Sequence, residues 1–378
     1  MPKLNRVALA RLAVVATCLT GLAACGSNSS SGSSGGSGSS GAADTATARK
    51  LIAPYSGQPS RFPVDTALPK SARGKRLAYV DCGTPVCALF YTLAAPAAKE
   101  LGMSLTRIRA NLTADSVRTA FDTVVSGKYD GVFLAAIQPS LWEKGLKELN
   151  AARVPVVTSG ITGGDADRIA VMQASDKAIE RAGQILAGYA VAQQGDKTDA
   201  VFYNTPEISF IPVMRDAFVK EVKRLCPGCK ARSADLPAAQ LTQAPATVVN
   251  DLQAHPSTTI AVFSTSEQTF GTAQAMKTAG IKIKTIANFP DPQTLQSVKR
   301  GDLGAALGID LPVIAWTAMD SLARLATGGP AAPGAVADIP PMQLLTAKDL
   351  QGDVSRGWSG YPDFAARFTK LWKTTPDA

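Results

Sequence analysis

Cysteines are the residues best able to do chemistry in this chain of 378 residues. Two lie near the amino terminus, and the other four form two local pairs, Cys82 with Cys87 and Cys226 with Cys229. In an oxidising compartment, the simplest interpretation is two disulfides that each close a short loop. Cys226-Pro-Gly-Cys229 also has the spacing of a thioredoxin-like redox motif, but it follows the predicted helical stretch 213–225 instead of opening a helix after a strand. A four-cysteine zinc site is a third alternative, although the two pairs differ in spacing.

The residues that common enzyme mechanisms need are missing from the sequence. The one histidine, His255, lies at a predicted helix end, so it can form neither a metal cluster nor a hydrolytic triad. Ser159 and Ser209 lie in predicted loops without a nucleophile-elbow pattern. The sequence also has no Walker or Gly-x-Gly-x-x-Gly motif for binding phosphates. We therefore expect no enzyme activity, no cofactor and no metal.

The amino terminus has the pattern of an export signal. Its basic residues are Lys3, Arg6 and Arg11. Leu12 to Ala24 is small or apolar, and it is shorter than the roughly 20 residues that span a membrane. Leu22-Ala-Ala-Cys25-Gly26 follows, and it resembles the lipobox of bacterial lipoproteins. The resemblance implies that residues 1–24 are removed and that Cys25 carries a lipid on the outer face of the cell membrane. An uncleaved anchor, or a secreted protein with a chance cysteine, is the alternative.

A segment rich in serine and glycine follows Cys25, from Gly26 to Gly41. It has nothing apolar to bury, so it is expected to form a coil with an r.m.s. reach of about 20–25 Å. We predict a tether over residues 25–53. Removing residues 1–24 takes away three positive charges and lowers the formal net charge from +9 to +6. This excess favours attraction to anionic lipid or wall polymer over nucleic acid, unless it is simply a solvated surface.

From Lys75 onward, short β-branched or apolar runs alternate with longer amphipathic stretches. This alternation predicts an α/β protein with mostly parallel sheets. The predicted strands are 76–81, 104–109, 131–135, 154–158, 169–173, 200–203, 230–234, 259–263, 284–287 and 303–307. The predicted helices are 87–101, 114–126, 141–151, 176–194, 211–225, 243–254, 268–279 and 292–300. Two comparable α/β units therefore follow one another in the chain.

Several short motifs occur in an order that points to a known family. They include Arg76-Leu-Ala-Tyr-Val-Asp81, Lys128-Tyr-Asp-Gly-Val-Phe133, Val154-Pro-Val-Val157, Gly271-Thr-Ala-Gln-Ala-Met276 and Gly301-Asp-Leu303. Over about residues 74–350, the chain resembles the type I periplasmic-binding-protein family, particularly the ribose-like, sugar-type receptors of ABC importers. The resemblance implies two Rossmann-like lobes with parallel sheets, a three-crossing hinge and a ligand held in the cleft between the lobes.

The same resemblance implies a division of the chain into lobes. The N-terminal lobe comprises residues 74–174 and 309–330, and the C-terminal lobe comprises residues 175–308 and 333–350. The crossings are expected near residues 173–176, 309–311 and 327–333. A helix over 313–326 then completes the first lobe, and a strand over 342–345 completes the second. Residues 353–378 form an aromatic tail, which either docks onto its own lobe or presents a contact patch to a partner.

The resemblance also implies that loops after the strands contact the ligand. The candidate contacts are Thr84, Phe90, Gln138, Ser159, Phe210, Ser266, Phe289, Asp291 and Asp310. Several charged and amide groups of sugar receptors are absent: for example, Thr265-Ser-Glu267 stands where the family often has Asn-Asp. The cleft therefore looks less polar than a sugar site. Its candidate apolar walls are Phe90, Phe210, Phe289 and Trp142. Both a sugar and a less polar, aromatic solute remain open as the ligand.

The expected function is that of an extracytoplasmic substrate-binding lipoprotein of an ABC importer. Such a protein would act as a monomer and deliver a small molecule to a membrane permease driven by a separate ATPase. The alternative is a ligand-sensing lipoprotein that reports to a membrane sensor or wall partner without transport. Related repressors carry a helix-turn-helix before the same fold, whereas signal and tether take that place here, so no nucleic-acid partner is expected.

Overall fold

Five parallel strands form the first of two β-sheets. The structure, a computed structural model, describes residues 41–164, 168–337 and 340–373. The strands are β1 (Arg76–Asp81), β2 (Ser104–Arg109), β3 (Gly131–Ala135), β4 (Val156–Ser159) and β5 (Val171–Gln173). They lie in the order β2-β1-β3-β4-β5. Strands β3 and β4 are buried at every residue, as expected when helices cover both faces of a parallel sheet.

The second sheet has six strands, of which only the last in sequence is antiparallel to its neighbour. The strands are β6 (Asp199–Asn204), β7 (Lys230–Asp235), β8 (Ile260–Phe263), β9 (Lys284–Asn288), β10 (Ala305–Ile309) and β11 (Met342–Leu345). Their order is β11-β10-β9-β8-β6-β7. The predicted architecture of two mostly parallel α/β lobes is confirmed.

Helices cover the faces of both sheets. Those associated with the first sheet are α2 (Pro85–Glu100), α3 (Ala114–Ser126), α4 (Glu143–Ala151) and α10 (Leu311–Ala326). Those of the second lobe are α5 (Asp176–Gln194), α6 (Phe210–Leu225), α7 (Ala244–Ala254), α8 (Thr272–Thr278) and α9 (Pro292–Arg300). Helices α5 and α6 pack closely at Gly183, where a Cβ would lie 2.4 Å from the carbonyl oxygen of Met214. None of the helices within the described ranges is long and apolar enough to cross a membrane.

Three segments carry the chain from one sheet to the other. The chain leaves the first sheet after Gln173, returns to the first lobe at Asp310 between β10 and α10, and passes back between Ala326 and Met342. Connections of this kind allow two lobes to rotate about a hinge.

Both ends of the described chain add contacts to both lobes. At the amino-terminal end, α1 (Thr45–Ile52) packs on α5 of the second lobe, and the backbone N–H of Asp44 donates to the carbonyl of Leu225. The prediction of a tether up to residue 53 is therefore wrong from Thr45 onward. A helix was missed because its apolar face is only two turns long and buries little more than Ala48. The predicted lipid site Cys25 and residues 26–40 lie outside the described residues.

The carboxyl-terminal segment runs from the second lobe to the first. Trp358 packs against Gly308 of β10, while α11 (Phe364–Trp372) lies on α10. The Trp372 ring stacks on Trp316 with centroids 5.2 Å apart, and its indole N–H donates to Asp320 Oδ1 at 2.8 Å. Of the two alternatives for the aromatic tail, docking onto its own lobe is thus the one observed for α11.

The two predicted disulfides are confirmed. The structure bonds Cys82 to Cys87 and Cys226 to Cys229. Cys226 follows the end of α6 (Phe210–Leu225) instead of opening a helix, which does not fit a thioredoxin-like motif. No group of three metal-ligating side chains occurs within the described part of the chain.

Candidate functional site

A cavity of about 280 Å³ lies between the two lobes, where the carboxyl ends of the parallel strands face each other. The first lobe contributes Gly83, Thr84, Pro85, Val86, Phe90, Ala135, Ala136, Ser159, Gly160, Ala174, Leu311 and Ile314. The second lobe contributes Ile208, Phe210, Ala238, Leu241, Thr265, Ser266, Glu267 and Phe289. This is the position at which open α/β sheets bind ligands.

The loop between β1 and α2 forms a stiff wall of the cavity. The Cys82–Cys87 disulfide closes this loop, and the hydroxyl of Thr84 accepts from the backbone N–H of Cys87 at the start of α2. Gly83 has a φ of +82°, and a Cβ there would lie 2.8 Å from the carbonyl oxygen of Ala110. The loop can therefore pack this closely only with glycine at that position.

Two phenylalanine rings form the opposite wall. Phe210 begins α6 and Phe289 follows β9, and their rings meet edge to face with centroids 5.1 Å apart. Phe289 has a φ of +49°, which is rare for a bulky residue and costs free energy. Ala136 and Ala174, which also line the cavity, have positive φ values as well. Strained backbone of this kind clusters at functional sites, so its concentration here supports a binding role for the cavity.

Few polar side chains line the cavity. Thr265, Ser266 and Glu267 follow β8 consecutively on the second-lobe wall, and Ser159 ends β4 on the first-lobe wall. The hydroxyl of Thr265 is buried and has no hydrogen-bond partner among the described residues. The Ser266 hydroxyl donates to Glu267 Oε2 at the long distance of 3.4 Å. Ser266 and Glu267 therefore remain available to a ligand.

Six of the nine candidate contacts line this cavity: Thr84, Phe90, Ser159, Phe210, Ser266 and Phe289. Their contact with a ligand remains a prediction. Sequence reasoning missed Ala238 and Leu241 after β7, because no motif marks that loop. Thr265 and Glu267 were missed as contacts although they flank Ser266, and their position after β8 was a signal that pointed to them.

Two of the other candidates lie elsewhere. Gln138 is exposed and precedes a short 3₁₀ turn outside the cavity. Asp291 lines a smaller neighbouring pocket, and its carboxylate accepts from the backbone N–H of Thr294 at 2.7 Å, so it caps α9. Trp142, predicted as an apolar wall, is instead buried in the core, where it stacks on Phe121.

Asp310 is the clearest error among the predicted contacts. It lies at a lobe crossing as expected, but it is fully buried and does not line the cavity. Its carboxylate accepts from the backbone N–H of Val313, the hydroxyl of Ser359 and the backbone N–H of Gly360. Asp310 therefore caps α10 and fastens the carboxyl-terminal segment to the hinge. No motif in the sequence indicates that this segment passes there.

Burial raises the pKa of Asp310 to about 6, against the opposing effect of its three hydrogen bonds. The folded protein therefore holds more protons than the unfolded chain between about pH 4 and pH 6, and stability falls as the pH rises through that window. In Asp310→Asn, which stays neutral, this dependence should vanish. The unfolding free energy of the wild type relative to this variant should fall by about 2 kcal/mol from pH 4 to pH 7.

Urea unfolding at several pH values measures this difference. The exposed Asp122→Asn exchange on α3 is the matched control, and its difference from the wild type should not fall in this way. A constant difference between the wild type and Asp310→Asn across the pH range would contradict the assignment.

Comparison with known proteins gives a consistent result. Residues 83–330 match a family model described as a periplasmic binding protein domain. No curated protein sequence matches the chain. Among solved structures, an ABC transporter solute-binding protein from Agrobacterium vitis with bound allitol has a TM-score of 0.65 at 20% identity, covering 76% of this chain and 99% of that one.

Two further structures show the same fold. The arabinose-binding protein of an ABC transporter from Shewanella sp. ANA-3, bound to L-arabinofuranose, has a TM-score of 0.63 at 16% identity and covers 78% of this chain and 95% of its own. A carbohydrate transporter from Acidothermus cellulolyticus, in complex with myo-inositol, has a TM-score of 0.64 at 17% identity, with coverages of 78% and 99%. At such identities the likeness is one of fold.

Proposed function

The chain belongs to the family of periplasmic binding protein domains, and on that premise we propose that it captures a small molecule between its two lobes and delivers it to the permease of an ABC importer. The observation that carries this proposal is the cavity between the lobes, lined from the carboxyl ends of strands in both sheets. A solute that contacts both walls favours the closed arrangement of the hinge, because only that arrangement offers both sets of contacts.

The lining of the cavity supports binding rather than catalysis. Among its described residues, Glu267 is the one titratable side chain, and the Ser266 hydroxyl lies beside it at the long distance of 3.4 Å. A base that activates a nucleophile normally lies within about 2.6–3.2 Å of it, so this pair is a poor catalytic arrangement. The protein therefore holds its ligand and releases it unchanged.

We place the protein outside the cytoplasm, tethered by lipid on Cys25. Two disulfides support an oxidising compartment, where such bonds persist. Gly41, the first described residue, accepts from the backbone N–H of Gly228 in the second lobe. A tether from Cys25 would thus join the second lobe and keep the receptor near a permease in the same membrane.

This function is tested by measuring how the cell that makes the protein takes up its ligand. Thermal-shift screening of the Cys25→Ser chain, which lacks the lipid site, against sugars, nucleosides and aromatic solutes should identify a ligand, since ligand at 100 times its Kd adds about 2.7 kcal/mol to stability. Deleting the gene should then abolish uptake of that solute. The full chain should restore it, and the Cys25→Ser chain, released from the cell, should not.

Cys18→Ser is the matched control, because Cys18 lies in the predicted signal and does not carry the lipid. The Cys18→Ser chain should restore uptake fully. Unchanged uptake after gene deletion would contradict a transport role. Full restoration of uptake by a released Cys25→Ser chain would contradict the lipid tether but not the transport role.

A further inference from the structure

The lining of the cavity is mostly apolar. Fifteen of its twenty residues are glycine, proline or residues with hydrocarbon side chains. Three of these fifteen are the aromatic residues Phe90, Phe210 and Phe289, which come from both lobes. Asparagine, glutamine, aspartate, arginine, lysine, histidine and tryptophan are all absent from the described lining.

The size of the cavity does not distinguish a sugar from an apolar molecule. A dry cavity of about 150 Å³ accepts benzene, so a cavity of about 280 Å³ has room for a ligand of roughly eleven non-hydrogen atoms. That is about the size of a hexose, and it is also the size of a phenyl ring with a short polar chain. The chemistry of the wall must decide between them.

The supply of hydrogen bonds is too small for a sugar. Each hydroxyl left unpaired in a closed cleft weakens binding by roughly 5- to 150-fold. Five side chains of the lining carry a polar group, and that of Thr84 already caps α2. Prolines in the first turns of α2 and α10 also remove N–H donors that helix starts would otherwise present. Most hydroxyls of a hexose would therefore remain unpaired.

The polar groups that exist form one strip. Thr265, Ser266 and Glu267 are consecutive, and the unpartnered hydroxyl of Thr265 belongs to a side chain that is only 7% exposed. The carboxylate of Glu267 can only accept hydrogen bonds, and it is the one charged group of the lining.

From these observations we infer that the ligand is a mostly apolar molecule, with an aromatic or alicyclic body and one hydrogen-bond-donating end, rather than a sugar. Its body packs among the three phenylalanines, and its donating end meets the strip from Thr265 to Glu267. An amine satisfies this strip best, because it donates to Glu267 and offsets its charge. The inference rests on the proposed binding function and specifies the class of solute.

Calorimetric titration of the Cys25→Ser chain tests the inference. The apolar probes are 2-phenylethylamine and 2-phenylethanol, and the polar probes are D-glucose, L-arabinose, myo-inositol and allitol. We expect an apolar probe to bind at least tenfold more tightly than every polar probe. In Glu267→Gln, the affinity for the amine should fall at least about fivefold while that for the alcohol changes less than twofold. Glu100→Gln, at an exposed position ending α2, is the matched control.

Each outcome decides a separate point. Tighter binding of a sugar or polyol would overturn the inferred ligand class and leave the proposed function standing. Equal losses for amine and alcohol, or none, in Glu267→Gln would overturn the role given to Glu267. If no probe binds and no solute in the wider screen stabilises the chain, the proposed function itself fails.

Discussion

Replacing Ala238 with tryptophan is expected to weaken ligand binding at least about a hundredfold, which corresponds to about 2.8 kcal/mol. Ala238 lines the second-lobe side of the cavity in the loop after β7. An indole there would occupy most of a space of about 280 Å³, and burying it against apolar walls is favourable. The ligand would have to displace the ring to enter.

The neighbouring Ala239→Trp exchange is the matched control. Ala239 is exposed and does not line the cavity, so the same added bulk should leave affinity within about twofold of the wild type. Calorimetric titration of both variants with the tightest ligand measures the contrast, and circular dichroism checks that both fold. Equal affinities for the two variants would place the ligand outside this cavity.

Replacing Arg324 with alanine is expected to lower the free energy of unfolding by about 3–5 kcal/mol. The Arg324 side chain on α10 is almost completely buried, and its Nε donates to Asp320 Oδ2 at 2.7 Å. Its other nitrogens donate to the backbone carbonyls of Thr66 and Ala67, so it ties the amino-terminal segment to the first lobe. Truncation would leave the carboxylate of Asp320 buried with Trp372 as its remaining partner.

Urea unfolding measures this loss. The control is Arg118→Ala on α3, because Arg118 forms an exposed ion pair with Asp115 and such pairs contribute about 0–1 kcal/mol. A loss for Arg324→Ala no larger than that of the control would show that the buried network does not hold the terminal segments in place.

Three strands were predicted from sequence residue by residue, for a physical reason, whereas β4 and β10 begin two residues later than predicted. The bounds of β1, β2 and β3 agree with the prediction, because short β-branched or apolar runs there end at turn or polar residues. The predicted helix 268–279 was wrong at its start. Gly271 has a φ of +73°, so a short 3₁₀ turn precedes it and α8 begins only at Thr272.

The candidate site was predictable to the level of loops but not of side chains. Strand ends identify which loops face the cleft, and Phe210 and Phe289 were found in this way. Asp291 and Asp310 were chosen because they are polar, yet both cap helices. Capping depends on where a helix begins to within one residue, and the position of the carboxyl-terminal segment beside Asp310 depends on packing between elements far apart in sequence.

The most direct test of the central claim, that a solute binds between the lobes, is a crystal structure of the Cys25→Ser chain with its tightest ligand. We predict that the ligand contacts Phe210 and Phe289 of the second lobe and Ser159 of the first. A ligand bound to one lobe only, for example in the open surface pocket beside Lys277 and Arg300, would contradict the account.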